Sequence, residues 1–155
     1  MKLKSTLLIL AAAISVSAGP PISAADRATP VEAKAMLQKA VAHYQSVGRK
    51  EALADFSAKK PPFVDRELYV VCIGPDHLIS ANGNFPQYVG TSADALKDAA
   101  GKPLGTAIVD SASSKGNGSV RYMLINPTNG KPEPKITFAQ KVGDDVCGVG
   151  VYSPQ

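Results

Sequence analysis

The stretch Ser119–Tyr152 constrains the fold more than any other part of the chain. It reads SVRYMLINPTNGKPEPKITFAQKVGDDVCGVGVY. Three runs rich in β-branched and aromatic residues lie in it: Val120–Ile125, Lys135–Lys141 and Val146–Tyr152. Asn126-Pro127-Thr128-Asn129-Gly130 separates the first two, and Gly143-Asp144-Asp145 separates the last two. Such runs bounded by Gly, Pro, Asn and Asp predict strands joined by tight turns, here an antiparallel meander of three. Neighbouring strands of that kind are expected to bring Tyr122, Lys135 and Phe138 into one small region.

The rest of the chain supplies helices. Thr29-Pro30-Val31-Glu32 is a helix start, with a capping residue, proline at the first helical position and a capping-box glutamate. Ala33, Leu37, Ala40, Tyr44 and Val47 then recur every three to four residues, which predicts an amphipathic helix of about 18 residues ending near Gly48. His43 lies beside that stripe and reads as a partly exposed surface residue. Arg49–Ala58 reads as a short second helix, stopped by Lys59-Lys60-Pro61-Pro62.

Leu68–Ile73 is apolar on both faces, as in a central strand, and Leu78–Ala81 returns after the turn Gly74–His77. Asn82–Gly90 is too rich in turn formers for regular structure. It reads as a loop lying over something, with Phe85 and Tyr88 as apolar anchors. A helix is expected from about Leu104 to Ser114. Segregated helices beside an antiparallel sheet make this an α+β domain with five strands.

The first 25 residues are set apart. Lys2 and Lys4 precede a short apolar run, Leu7–Val16, and Ser23-Ala24-Ala25 offers small residues for cleavage before Asp26, as in a secretory signal peptide. The run is shorter than the ~20 residues of a spanning helix. Residues 26–155 then form one exported domain, periplasmic or secreted. Loss of Lys2 and Lys4 leaves 15 of the 17 basic residues against 13 acidic ones, a net +2 in place of +4. So small and dispersed an excess does not suit a nucleic-acid partner. Cys72 and Cys147 would meet an oxidising compartment. With no C-x-x-C, zinc and redox catalysis fit poorly. A structural disulfide is the favoured reading, and two buried thiols are the alternative.

A family resemblance rests on many small pieces in order. These are Phe63-Val64-Asp65 before Leu68-Tyr69-Val70, Val89-Gly90, Leu96–Pro103, Lys115-Gly116 with Gly118, Tyr122, Asn126-Pro127, Pro134-Lys135, Lys141-Val142-Gly143 and Gly148–Tyr152. Together they resemble single Cache domains of the second type, and they cover nearly all of residues 26–155. The resemblance implies a PAS-like fold, with the long N-terminal helix on one face of the sheet. A loop-and-helix crossover and a small-molecule pocket lie on the other. It implies that the first and last strands are neighbours, which favours the Cys72–Cys147 disulfide. It also implies a sensory role, and this chain is similar to free-standing exported members that would relay to a separate membrane sensor or transporter.

Three positions depart from that pattern: Asn82 stands where a histidine is frequent, Leu124 where an aromatic is, and Phe138 where a tyrosine is. They leave open a more apolar pocket, a different ligand or a lost one. The ligand class implied is a small organic acid, held by Lys135 through a charge-assisted hydrogen bond. Tyr122 joins Lys135 in the lining, Phe85, Tyr88 and Leu124 form the wall, and Phe138 is included. Strand alternation turns Arg121 away from Tyr122. The competing reading is an accessory module that docks on another protein without a ligand, as a monomer or a homodimer through the long helix.

Catalysis finds little support. His77 next to Asp76 invites a general-base role, but no activated nucleophile accompanies the pair, and a solvated turn is the simpler reading. Asp144-Asp145 reads as a hairpin tip rather than a metal site. No cofactor or metal is expected.

Overall fold

A computed structural model describes residues 27–127 and 129–153. The expected signal peptide, residues 1–25, lies outside them. No helix among the described residues is long and apolar enough to cross a membrane.

The first helix, α1, spans Pro30–Val47. It starts where the sequence says it should: Glu32 N donates to Thr29 Oγ1 at 3.2 Å, and Thr29 N donates back to Glu32 Oε2 at 2.7 Å. These bonds satisfy two backbone donors that a helix N-terminus otherwise leaves unpaired. Gly48, with φ 85°, ends the helix and starts α2, Arg49–Phe56. Ala33, Met36, Leu37, Ala40, Val41 and Tyr44 form the buried stripe of α1.

Six strands follow or interleave: β1 Val64–Asp65, β2 Leu68–Ile73, β3 Ile79–Asn82, β4 Asn117–Ile125, β5 Pro132–Val142 and β6 Asp145–Tyr152. Helix α3, Gly105–Ser113, lies between β3 and β4. All pairings are antiparallel, in the order β1-β2-β6-β5-β4, with β3 also paired to β2. The expected count of five strands is therefore one short. The extra strand, β1, has two residues, too few to show a period of two. The meander itself is β4-β5-β6, and the first long strand, β2, pairs with the last, β6.

Alternation along the strands divides the interior into two layers. Val70 and Cys72 of β2, Ile136 of β5, and Cys147, Val149 and Val151 of β6 face α1 and α2. Ile73, Ile79, Ala139 and Val146 face the other way, toward Leu104, Ile108 and Ala112 at α3. Cys72 and Cys147 stand directly opposite one another in the β2–β6 register, Cα–Cα 4.0 Å, and are joined as a disulfide in the helix-side layer.

Asp145 corrects the reading of its turn. It does begin β6 after the hairpin, but its side chain is fully buried. Its Oδ2 accepts from Tyr44 Oη and from Arg49 Nε, both at 2.7 Å, and its Oδ1 accepts from Ser80 Oγ at 2.6 Å and Arg49 Nη2 at 3.1 Å. One carboxylate thus ties α1, α2, β3 and β6 together. A lone residue with four hydrogen bonds from three distant residues leaves no local pattern to read.

Two predictions follow from this frame. The Cys72→Ala/Cys147→Ala double variant frees a loop of 75 residues in the unfolded chain. Urea unfolding should show a loss of about 3–5 kcal/mol, and a loss under 1 kcal/mol would refute that origin. Asp145→Ala leaves Tyr44, Ser80 and Arg49 without their acceptor and should cost about 2–4 kcal/mol in the same assay, far beyond a surface turn residue. A change within 0.5 kcal/mol would return Asp145 to that ordinary role.

Candidate functional site

On the α3 side of the sheet lies a cavity of about 300 Å³. Its floor is the alternate residues of four strands: Tyr69, Val71 and Ile73 of β2, Gly150 and Tyr152 of β6, Lys135 and Thr137 of β5, and Tyr122 and Leu124 of β4. Leu104, Ile108, Leu96, Phe85 and Tyr88 close over it. Asn82 holds the Phe85 loop in place: its Oδ1 accepts from Asn84 N at 3.2 Å and from Phe85 N at 2.8 Å. The Phe85 ring then meets Tyr69 edge-on at 6.0 Å and lies 5.8 Å from Tyr88.

Lys135 is the centre of the site. Register places Tyr122 on one side of it and Tyr152 on the other. Its side chain is 2 % exposed. The Nζ lies 4.4 Å from the Tyr152 ring centroid and 4.6 Å from that of Tyr69. It donates to Tyr69 Oη at 3.5 Å, and no carboxylate among the described residues forms an ion pair with it. Burial pushes its pKa down to about 8, opposed by the more distant charge of Glu67. The two ring faces favour the cation, but they supply less than a carboxylate partner would.

The hydroxyls around this amine are themselves ordered. Tyr122 Oη and Thr137 Oγ1 share a hydrogen bond of 2.7 Å, and Tyr152 Oη donates to the Ile125 carbonyl at 3.0 Å. Burial raises the pKa of Tyr122 to about 12 and pushes Tyr69 and Tyr152 up as well. All three phenols therefore stay protonated and act as polar neutral groups. Gly150 makes room for the arrangement: a Cβ there would lie 2.6 Å from Lys135 Cε and 2.7 Å from Thr137 Oγ1.

Of the site residues expected from sequence, the structure brings Lys135, Tyr122, Leu124, Phe85 and Tyr88 together around the cavity. Tyr88 stands at the mouth, 45 % exposed, rather than as a buried anchor. Phe138 is a correction. It lies three residues after Lys135 on one strand, so it faces the opposite layer, where it packs with the helix-side core under Lys34. Arg121 also points away, at an exposed position. Sequence reasoning missed Tyr69, Tyr152, Thr137 and Gly150. The signal was present in Gly148, Gly150 and Tyr152, which alternate with Cys147, Val149 and Val151 and so share the other face.

The remaining polar candidates lie elsewhere. His77 Nδ1 is 2.9 Å from Asp94 Oδ1, not paired with Asp76, whose Oδ1 accepts from Leu78 N in the turn. Asp94 raises the His77 pKa, and the pair is exposed. His43 Nε2 lies 2.7 Å from Asp55 Oδ2, and its ring lies 5.0 Å from that of Phe63. No group of three potential metal ligands occurs among the described residues.

The model of the family Single Cache domain 2 matches residues 28–153, and the chain belongs to that family. No curated protein matches the sequence. Solved structures that share the fold include three sensor proteins. A methyl-accepting chemotaxis protein from Vibrio parahaemolyticus superposes with TM-score 0.62 at 21 % identity, over 79 % of this chain and 86 % of that one. A periplasmic sensor domain of a chemotaxis protein gives 0.58 at 21 %, over 78 % and 88 %. A Cache chemosensory domain described for carboxylic acid recognition gives 0.58 at 19 %, over 78 % and 86 %.

Gly150→Ala tests the packing of the site. The added Cβ requires the end of the Lys135 side chain to leave the rings and move toward the mouth. The Lys135 titration, followed by its ¹³Cε resonance, should shift upward from about 8 toward ordinary lysine. An unchanged titration would show that the floor relaxes instead.

Proposed function

We propose that this domain is an extracytoplasmic sensory module that binds a small organic acid through Lys135 and relays its presence to a separate membrane sensor or transporter. One observation carries the reading: a buried ammonium without a carboxylate partner faces a cavity of metabolite size. Burying an unpaired cation is costly, and an anion in the cavity would offset that cost. The neutral phenols of Tyr69, Tyr122 and Tyr152 add hydrogen bonds without repelling an anion, while Val71, Ile73, Leu104, Ile108 and Leu124 suit an apolar remainder. The family membership and the relative described for carboxylic acid recognition support the same ligand class. Export by residues 1–25 belongs to this reading.

The alternative is a module that docks on another exported protein with the cavity empty. Its support is the exposed apolar surface of Tyr88 and Ile125 beside the mouth.

Thermal-shift titration with acetate, propionate and larger monocarboxylates separates the two. At a hundredfold excess over Kd a ligand stabilises by about 2.7 kcal/mol, a shift of several degrees. Lys135→Met should abolish the shift without lowering the melting temperature of the free protein, because a buried unpaired charge has been replaced by an apolar chain. The pH dependence follows from the depressed Lys135 pKa, whose neighbours Tyr69, Tyr122 and Tyr152 remain neutral in this range. Between about pH 8 and 10.5 the unfolded chain keeps a proton that the folded pocket has released, so this group's contribution to free-protein stability rises with pH. Ligand affinity runs the other way, constant from about pH 6 to 8, where the acid stays ionised, and falling about tenfold per unit above it. No shift with any acid, and Lys135→Met indistinguishable from wild type, would sink the acid reading and leave the docking one.

A further inference from the structure

The chemistry of Lys135 extends beyond holding an anion. Resting on the reading of its cavity as a ligand site, we propose that Lys135 also captures small carbonyl compounds, 2-oxo acids foremost, as a reversible covalent imine. The geometry supplies what that reaction needs. The amine is primary, buried and lines a cavity of about 300 Å³, room enough for a small molecule. No carboxylate among the described residues locks it as a permanent ammonium. Desolvation makes the neutral amine accessible near pH 8, as in other amines activated by burial.

The step balances without any further reactant. The lone pair of neutral Nζ forms a bond to the carbonyl carbon, and the carbonyl π electrons move to oxygen, which gains a proton while nitrogen loses one. The resulting carbinolamine then breaks its C–O bond. The oxygen leaves as water after taking a second proton, supplied by solvent in place of the one the ammonium released on becoming neutral, and nitrogen becomes a protonated imine. Nothing is oxidised or reduced. Tyr69 Oη, 3.5 Å from Nζ, is placed to pass protons between nitrogen and oxygen.

The product fits the site better than the free ammonium does. A protonated imine keeps its positive charge, so the ring faces of Tyr152 and Tyr69, 4.4 and 4.6 Å from Nζ, continue to hold it. It carries fewer N–H bonds to satisfy in a dry pocket. Hydroxyls also stand ready for the acid group of a 2-oxo acid. Nζ and Thr137 Oγ1 lie 3.4 and 2.7 Å from the same point above Gly150, so they are no farther apart than those two distances together. Tyr122 and Thr137 share one hydrogen bond, which uses one of their two hydroxyl protons and leaves the other for an incoming oxygen.

The test is reductive trapping. The folded protein is incubated with glyoxylate and sodium cyanoborohydride, which fixes an imine as a carboxymethyl-lysine, and each lysine is quantified by peptide mass spectrometry. Lys135 should be labelled about tenfold faster than exposed Lys97 at the cavity mouth. Added propionate should slow Lys135 and leave Lys97 unchanged. Labelling of Lys135 no faster than Lys97 overturns the covalent step. If propionate still raises the melting temperature in that protein, the acid-binding reading stands alone, and if it does not, both fall. Fast labelling of Lys135 that propionate does not slow upholds the covalent step and removes the shared acid site.

Discussion

The structure depends on β6 being buried along its whole length and on both faces. Every residue from Asp145 to Tyr152 is buried. A strand in that position has to serve two layers with alternate residues, and β6 does so with opposite chemistry. Cys147, Val149 and Val151 fill the helix-side layer, where close packing and the disulfide give stability. Val146, Gly148, Gly150 and Tyr152 face the other layer. There the glycines leave room for Thr137 and Lys135, which occupy the space directly above them.

Much of this was legible in the sequence. The capping box and the three-to-four-residue repeat gave α1 its bounds, and the turn residues gave the meander. These are local signals, carried by neighbours within a few residues. The pairing of β2 with β6 joins segments about 75 residues apart. Only the family resemblance indicated it, because no local pattern encodes which strands become neighbours. The same limit hid Asp145: its partners come from Tyr44, Arg49 and Ser80, and a two-residue acidic turn looks alike whether buried or solvated.

The misplacement of Phe138 has a different cause. The period-two rule holds for Arg121 and Tyr122, which face opposite layers. Grouping Lys135 with Phe138 broke it, since an odd step along a strand changes faces. Applied throughout, alternation collects Lys135 and Thr137, Tyr122 and Leu124, Tyr69 and Val71, and Gly150 and Tyr152. All of these line the cavity. The departures at Asn82 and Leu124 also look different in place. Asn82 spends its carbonyl on the Phe85 loop, so it shapes the wall. Leu124 keeps an apolar surface near Lys135, which leaves the amine as the dominant charged group of the floor.

That division of labour explains where the molecule is strong and where it is costly. A buried cation and two glycines in a central strand each subtract from stability. The opposite layer carries the compensating features: the disulfide, the Phe56–Phe63 edge contact at 4.7 Å and the Arg49–Asp145–Tyr44 network. Because both layers share the same strands, order imposed from the helix side also fixes the backbone under Lys135. A ligand bound as proposed would meet a preformed arrangement and lose little of its binding energy to reorganisation. The cavity floor can be sparse because the other face of the same sheet is dense.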